Sequence, residues 1–351
     1  MADDLTCIEQ ITFHDARKFL EYLLPTNQRW REGLDSEWVF RGVWGAEYPL
    51  LPRAWRDSGK RQLHAIVQSL EPLKEQLWTR FLGMSHEQPI QIQLMKDESE
   101  KDFILDYVLQ FVAEKDVIRQ FADLGAELGY PILQAGERVF RGTDLMQWRF
   151  LSEAEQNYLV DGPDRDWVWQ LAVYHDQMTE AAGFAQHHGI PTRLLDWTRK
   201  PLVAAYFGAS REDGAQAEES VVVWALHRKV LNQKIDFDGG YFCALRELTC
   251  RHHAHSFLHA QDGLFLWIQY AGLFYLVKKK WPTLEEIVSQ VHLKVGGPKP
   301  IRKISLPASE ANALLDLLWA WRISRAHLMP TYDNITNALH TKWRLQSACS
   351  T

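Results

Sequence analysis

The sequence predicts an α+β fold in a single domain, and three observations carry that expectation. Short runs rich in β-branched and aromatic residues, Trp38–Val43, Ser220–Leu226, Leu264–Ile268 and Ile301–Leu306, have the length and composition of strands. Between them lie stretches with the apolar spacing of helices, the longest from Leu63 to about Leu124. No long repeat or low-complexity linker divides the two kinds, so residues 1–351 read as one elaborated domain. A chain of 351 residues, 46% of them hydrophobic, is long enough for a full core.

Taken in order, Glu9–Leu24 sets Phe13, Phe19, Leu20, Tyr22 and Leu23 mostly on one side of a helix, which Pro25-Thr26-Asn27 ends. Trp38–Val43 is apolar except at Arg41 and Gly42, hence a strand. Gly45–Pro52 is a turn-rich connection to Arg53-Ala54-Trp55-Arg56. The helical periodicity from Leu63 is interrupted at Ser85–Pro89, and Ile104, Leu105, Val108, Leu109, Phe111 and Val112 form one face for burial. Gly125, Gly129 and Pro131 break it, and residues 56–159 read as a helical insertion in the domain.

Gln134–Asp166 fits no element well. It contains Val139-Phe140-Arg141-Gly142, a second copy of Val39–Gly42 whose neighbours do not match, so the copy reads as coincidence. Gly162-Pro163-Asp164 is a turn, and Trp167–Ala182 resumes a helix. Later come a helix at Leu202–Ala209, a polar loop at Arg211–Glu219, the Ser220–Leu226 strand and a turn region at Asp236–Tyr241. His252–Gly263 leads to the Leu264–Ile268 strand, and Gly296–Pro300 precedes that at Ile301–Leu306. A helix capped by Ser309 runs to Trp321, and a last one begins near Asn334.

A formal net charge of −6 argues against a surface that tracks nucleic-acid phosphates along its whole length. Apolar runs such as Tyr270–Val277 fall short of a membrane span, and the N-terminus is acidic and polar. A soluble, cytoplasmic protein with no membrane partner is expected. Cys7, Cys243, Cys250 and Cys349 form no C-x-x-C pair, which points to neither a disulfide framework nor a cysteine zinc site. The 15 tryptophans are core or cleft-rim residues, with nucleobase stacking open to one or two.

The richest stretch is Gln186–Pro201. Gly189 and Pro191 break the preceding helix, and Thr192, Arg193, Asp196 and Thr198 gather around Leu194, Leu195 and Trp197. Pro201 sits where a first helical turn tolerates it, so these polar residues face a helix N-terminus, where backbone N–H groups favour an anion. Arg41, on an apolar strand, needs a charge partner because an unpaired buried guanidinium is very costly. It either pairs internally, with Asp196 as candidate, or grips a phosphate bidentately. Asp196 is equally an acceptor for its own turn or for Arg193, and Thr192 and Thr198 are equally caps. His187 and His188 read as scaffold or catalytic groups. The His255/His259 pair lacks a third obvious ligand, so no metal is expected. Lys278–Lys280 and Lys294–Lys303 are solvated faces or a local patch for an acidic partner.

These residues resemble the FRG domain family. The resemblance lies in Trp38-Val39-Phe40-Arg41-Gly42 with Leu51-Pro52-Arg53, then His187-x-Gly189-x-Pro191-Thr192-Arg193-Leu194-Leu195-Asp196-Trp197-Thr198 followed by Pro201-Leu202 and Ala204–Phe207. Gln261-Asp262-Gly263-Leu264-Phe265 resembles the family's Gln-x-Gly-x-Phe, and Ile304–Pro307 with Met329-Pro330 its C-terminal close. The departures are His255 and His259 where the family carries Arg, and Met329-Pro330-Thr331-Tyr332-Asp333 for Phe-Pro-Asp-Leu.

The motif order is also similar to that of Arg-Ser-Glu-type ADP-ribosyltransferases, a fold-level analogy. It implies a mixed-sheet core of that fold, NAD as substrate, Arg41 as first motif, Thr192–Thr198 as second, and Gln261 or Glu247 as third. The dinucleotide would meet Arg41, Gly42, His187, Thr192, Arg193, Trp197 and Thr198. The reacting centre would involve Arg41, Thr198 and Asp196 with Glu247 or Gln261. The implied activity is ADP-ribosyl transfer to a protein or nucleic-acid target, or NAD hydrolysis, as in a bacterial toxin or phage-defence effector. The alternative is a non-catalytic nucleotide-sensing or protein-interaction module, with Arg41, Arg193 and Asp196 as a structural network. A nuclease would need a metal-binding acidic pair, and none stands out.

Overall fold

The computed structural model describes residues 7–32, 35–45, 49–75, 98–129, 176–210, 220–237, 241–249 and 256–348. Its strands are β1 (Ile8–Thr12), β2 (Arg31–Glu32), β3 (Asp35–Ser36), β4 (Trp38–Trp44), β5 (Leu195–Thr198), β6 (Ser220–His227), β7 (Lys234–Phe237), β8 (Tyr241–Leu248), β9 (Gly263–Gln269) and β10 (Ile301–Pro307). Its helices are α1 (Ala16–Leu23), α2 (Asp57–Leu70), α3 (Glu98–Glu127), α4 (Asp176–His187), α5 (Pro201–Ala209) and α6 (Ser256–Gln261). The rest are α7 (Ala271–Lys278), α8 (Leu284–Val295), α9 (Ala311–Ala320), α10 (Arg325–Leu328) and α11 (Tyr332–Ala348).

The fold is α+β around an 8-stranded mixed sheet in the order β1-β10-β6-β4-β5-β9-β8-β7. Only the β1–β10 edge is parallel; the other pairs are antiparallel. Alternation along the strands splits the apolar residues between two faces. Val39, Trp197, Val222, Trp224 and Leu266 pack with α8 and the Leu50–Trp55 segment on one. Phe40, Val221, Val223 and Ile304 pack with α1, α5 and α9 on the other. Beside the sheet, α2, α3 and α7 share a third cluster that buries the six α3 residues whose spacing marks one face.

The first departure from the sequence expectation is at the N-terminal side. Glu9–Leu24 is not one helix. β1 pairs with β10 through Ile8↔Ile301 to Thr12↔Ser305, and the helix starts only after Asp15, whose side chain accepts from the Lys18 N–H. The β1 pairing satisfies a strand's hydrogen bonds that a local helix would otherwise supply. Of the expected turn at Asp236–Tyr241, Asp236 and Phe237 instead end β7 and Tyr241 begins β8, and the residues between lie outside the described ones. Helices α7 and α8 occupy ground with no assignment from sequence. Ser309 is not a cap either. It lies in a 3₁₀ turn, and neighbouring Glu310 accepts from the Ala16 N–H at 3.0 Å, capping α1 across the fold.

Ser85–Pro89, Gln134–Asp166, residues 167–175, Arg211–Glu219, and His252, His253 and His255 lie outside the described residues, as does much of the span 56–159. Among the described residues no helix is long and apolar enough to cross a membrane.

Candidate functional site

The sheet parts at its centre. β4 pairs along its length with β6, but with β5 only at Phe40↔Thr198. A cavity of about 660 Å³ lies at this parting, within the size range of small-molecule sites. Its walls come from β4 (Phe40–Trp44), β5 (Asp196–Thr198), the end of α4 (Gln186, His187), α5 (Ala204, Phe207), and Arg56, Ser210, Gln261 and Met329.

Gly42 is where β4 and α5 meet most closely. A Cβ there would stand 1.8 Å from the Ala204 carbonyl oxygen, so the backbones approach only because the side chain is absent. This packing requirement accounts for glycine at the site.

Arg41 reaches across the parting. Its Nη1 donates to the Asp196 carbonyl oxygen at 2.6 Å and lies 3.6 Å from Asp196 Oδ2. The Arg41 side chain is 15% exposed and that of Asp196 is 54%, so the guanidinium lines the wall while the carboxylate meets water. Burial lowers the Arg41 pKa and Asp196 opposes that shift. Of the two expectations for Arg41, internal pairing with Asp196 is the one this geometry shows, and the pair lies in the cavity wall.

Thr198 is buried with its hydroxyl engaged: Oγ1 donates to the Gln261 carbonyl oxygen at 2.6 Å and accepts from Lys200 N–H at 3.0 Å. Gln261 donates from Nε2 to the Leu328 carbonyl oxygen at 3.2 Å, tying α6 to α10 below the cavity. His187 packs its ring 5.5 Å from that of Phe257, and burial lowers its pKa, against the pull of Asp196. Trp197 is nearly fully buried beside Arg41.

Three expected site residues lie elsewhere. Thr192 is buried behind the wall, donating to Gln186 Oε1 and accepting from Leu194 N–H. Arg193 is 4% exposed and pairs with fully buried Glu114 of α3, inside a box of Trp55, Tyr107, Phe111 and Trp281 rings. Its partner is therefore Glu114 and not Asp196, which corrects the expected Arg41–Arg193–Asp196 network. Glu247 is held between Arg199 Nη2 at 2.7 Å and Arg228 Nε at 2.9 Å, and is not among the cavity residues. Of the two third-motif candidates, only Gln261 reaches the hollow.

Arg56, Trp44, Phe207 and Met329 are wall residues that sequence reasoning did not single out. Arg56 follows the Leu51-Pro52-Arg53 motif closely, and its Nε donates to the Leu51 carbonyl oxygen at 2.7 Å. The motif's position was the available signal. Among the described residues no group of three or more His, Cys, Asp and Glu side chains could hold a metal ion.

The FRG domain model matches residues 136–217. The described part of that match, 176–210, is α4, β5 and α5, which supply much of the cavity wall. The match takes in Phe140-Arg141-Gly142, outside the described residues, and not Phe40-Arg41-Gly42, which the tertiary structure sets against β5 and α5. No curated protein and no solved structure matches the chain. Over that matched segment the chain is similar to the FRG domain.

Proposed function

We propose that the cavity binds NAD or a closely related dinucleotide and supports cleavage of its nicotinamide–ribose bond. The observation that carries the proposal is the contact pair of Arg41 and Asp196 in the wall of a nucleotide-sized hollow at the parting of the sheet. Arg41 supplies a fixed planar donor for a phosphate. Phe40, Trp44 and Phe207 offer aromatic surface for a base or the nicotinamide ring. Asp196 is the one carboxylate among the described cavity residues, so the charge-stabilising role falls to it and not to Glu247.

In that reaction the bond between ribose C1′ and the nicotinamide nitrogen breaks, and its electron pair leaves with neutral nicotinamide. Asp196 stabilises the positive charge that develops at C1′. Water, or a hydroxyl of a macromolecular target, bonds to C1′ and gives up its proton to Asp196 or solvent. Consumption of NAD in this way would make the chain a toxin or phage-defence effector.

A second possibility, a nucleotide sensor without turnover, is favoured by the neutral Gln261 and by Glu247 being consumed by two arginines. Calorimetry with a nucleotide panel, together with an assay of nicotinamide release, separates the two. The enzyme is expected to bind NAD and release nicotinamide, with Asp196→Asn binding but not releasing. A sensor binds without release. Absence of binding by any member of the panel would sink both.

A further inference from the structure

The cavity wall carries buried N–H groups to which the described residues supply no acceptor. The single Phe40↔Thr198 pair makes Arg41 and Trp197 the next residues along the two parting strands. Both line the hollow. Trp197 is 3% exposed and its indole Nε1 has no hydrogen-bond partner. Arg41 spends Nη1 on Asp196, but its Nε is also buried and unpartnered. An unpaired buried donor retains its desolvation cost, so two of them on neighbouring strands that line one cavity call for a specific explanation.

We propose that Arg41 Nε–H and Trp197 Nε1–H form a phosphate subsite and take the oxygens of one phosphate group of a nucleotide. This deepens the dinucleotide proposal above and rests on it only for which nucleotide is bound. A neutral acceptor would satisfy the indole but add no charge beside a guanidinium whose contact with the Asp196 carboxylate runs through Nη1 at 3.6 Å. A phosphate oxygen answers both, and charge-assisted bonds are the stronger kind. Because Nη1 of the same guanidinium is turned to Asp196, Arg41 stands between phosphate and carboxylate and limits their repulsion. Both nitrogens are screened from solvent by neighbouring atoms, so ligand entry needs side-chain adjustments of the kind common on binding.

Trp224 provides an internal control. It pairs with Arg41 from the β6 side, is 3% exposed, and has an indole Nε1 without a partner, but it is not part of the cavity wall.

The test is calorimetry of the full chain, Trp197→Phe and Trp224→Phe with inorganic pyrophosphate, NAD and phosphate-free nicotinamide riboside, alongside melting curves. Trp197→Phe keeps a ring and deletes an unpaired donor, so its melting temperature is expected to hold or rise while pyrophosphate affinity falls about tenfold. Trp224→Phe deletes an equally unpaired donor and is expected to bind pyrophosphate as the parent does. Should Trp197→Phe not fold, Arg41→Lys, which keeps the charge and loses Nε, is expected to show the affinity loss. Unchanged pyrophosphate affinity in the variant, an equal loss in Trp224→Phe, or no pyrophosphate binding by the parent chain overturns the subsite. NAD binding that ignores Trp197→Phe removes the subsite and leaves the dinucleotide proposal standing. Donor-dependent pyrophosphate binding without NAD binding does the reverse.

Discussion

Gly42 and Glu114 show how single side chains, or their absence, set the geometry around the hollow. A Cβ on Gly42 would meet backbone at 1.8 Å (Ala204 O) and 2.5 Å (Gly208 N), atoms that move only if β4 or α5 moves. Gly42→Ala is therefore expected to cost about 3 kcal/mol or more in urea unfolding, and a loss within the surface-mutation range would refute the close approach. Glu114 is 0% exposed and holds Arg193 in its aromatic box, while Gln110 Nε2 links Glu114 Oε1 to the Ala54 carbonyl oxygen. Glu114→Ala leaves a buried guanidinium without its counter-charge, so about 3–5 kcal/mol of stability should be lost. Denaturation showing an effect below about 1 kcal/mol would mean that the rings alone hold Arg193. Arg41 differs from both, since its partner Asp196 is half exposed. For Arg41→Ala the expected outcome is a nearly unchanged melt with loss of nicotinamide release; a collapsed melt would instead make Arg41 a structural residue.

Among the elements, α8 has the best-defined start. Thr283 and Glu286 form a reciprocal capping box, and Glu285 in the same turn accepts from the Leu50 N–H at 3.0 Å. Thr283→Ala is expected to cost about 1 kcal/mol in chemical denaturation. Burial pushes the Glu285 carboxyl above its usual range, with the Leu50 N–H opposing, and Oε2 is buried without a partner. A carboxyl raised by folding binds its proton more tightly in the native state. Its contribution is thus present below the ordinary carboxylate value and lost as pH rises through the raised one. Glu285→Gln keeps an acceptor for Leu50 and removes the titration. Melts of the two proteins across mildly acidic to neutral pH should show a flatter profile for the variant, and identical slopes would remove Glu285 from the account. The same scale explains the N-terminal misreading: β1 and α1 share apolar spacing across Glu9–Leu24, and only β10 reveals that the first of them is paired as a strand.

For the whole molecule, ligand that binds only the folded chain must stabilise it, so NAD or pyrophosphate at about 100 times its dissociation constant should add about 2.7 kcal/mol. A thermal-shift series with no change at saturating concentration would contradict binding in the hollow. The sequence by itself determined four of the described strands and several of the helices. β4, β6, β9 and β10 and the buried face of α3 follow from side-chain periodicity, which is local and written into consecutive residues. It also supplied the similarity to the FRG domain and the Pro-Thr-Arg-Leu-Leu-Asp-Trp-Thr run, because a motif is a string. Only the tertiary structure decided that Phe40-Arg41-Gly42 meets that run, that Arg193 turns away to a glutamate 79 residues earlier, and that Glu247 is spent between two arginines. Arg41 and Asp196 are 155 residues apart, and their meeting depends on strand order and on where two strands stop pairing. Charge pairing and cavities arise from proximity in space, and no spacing along a chain encodes that directly.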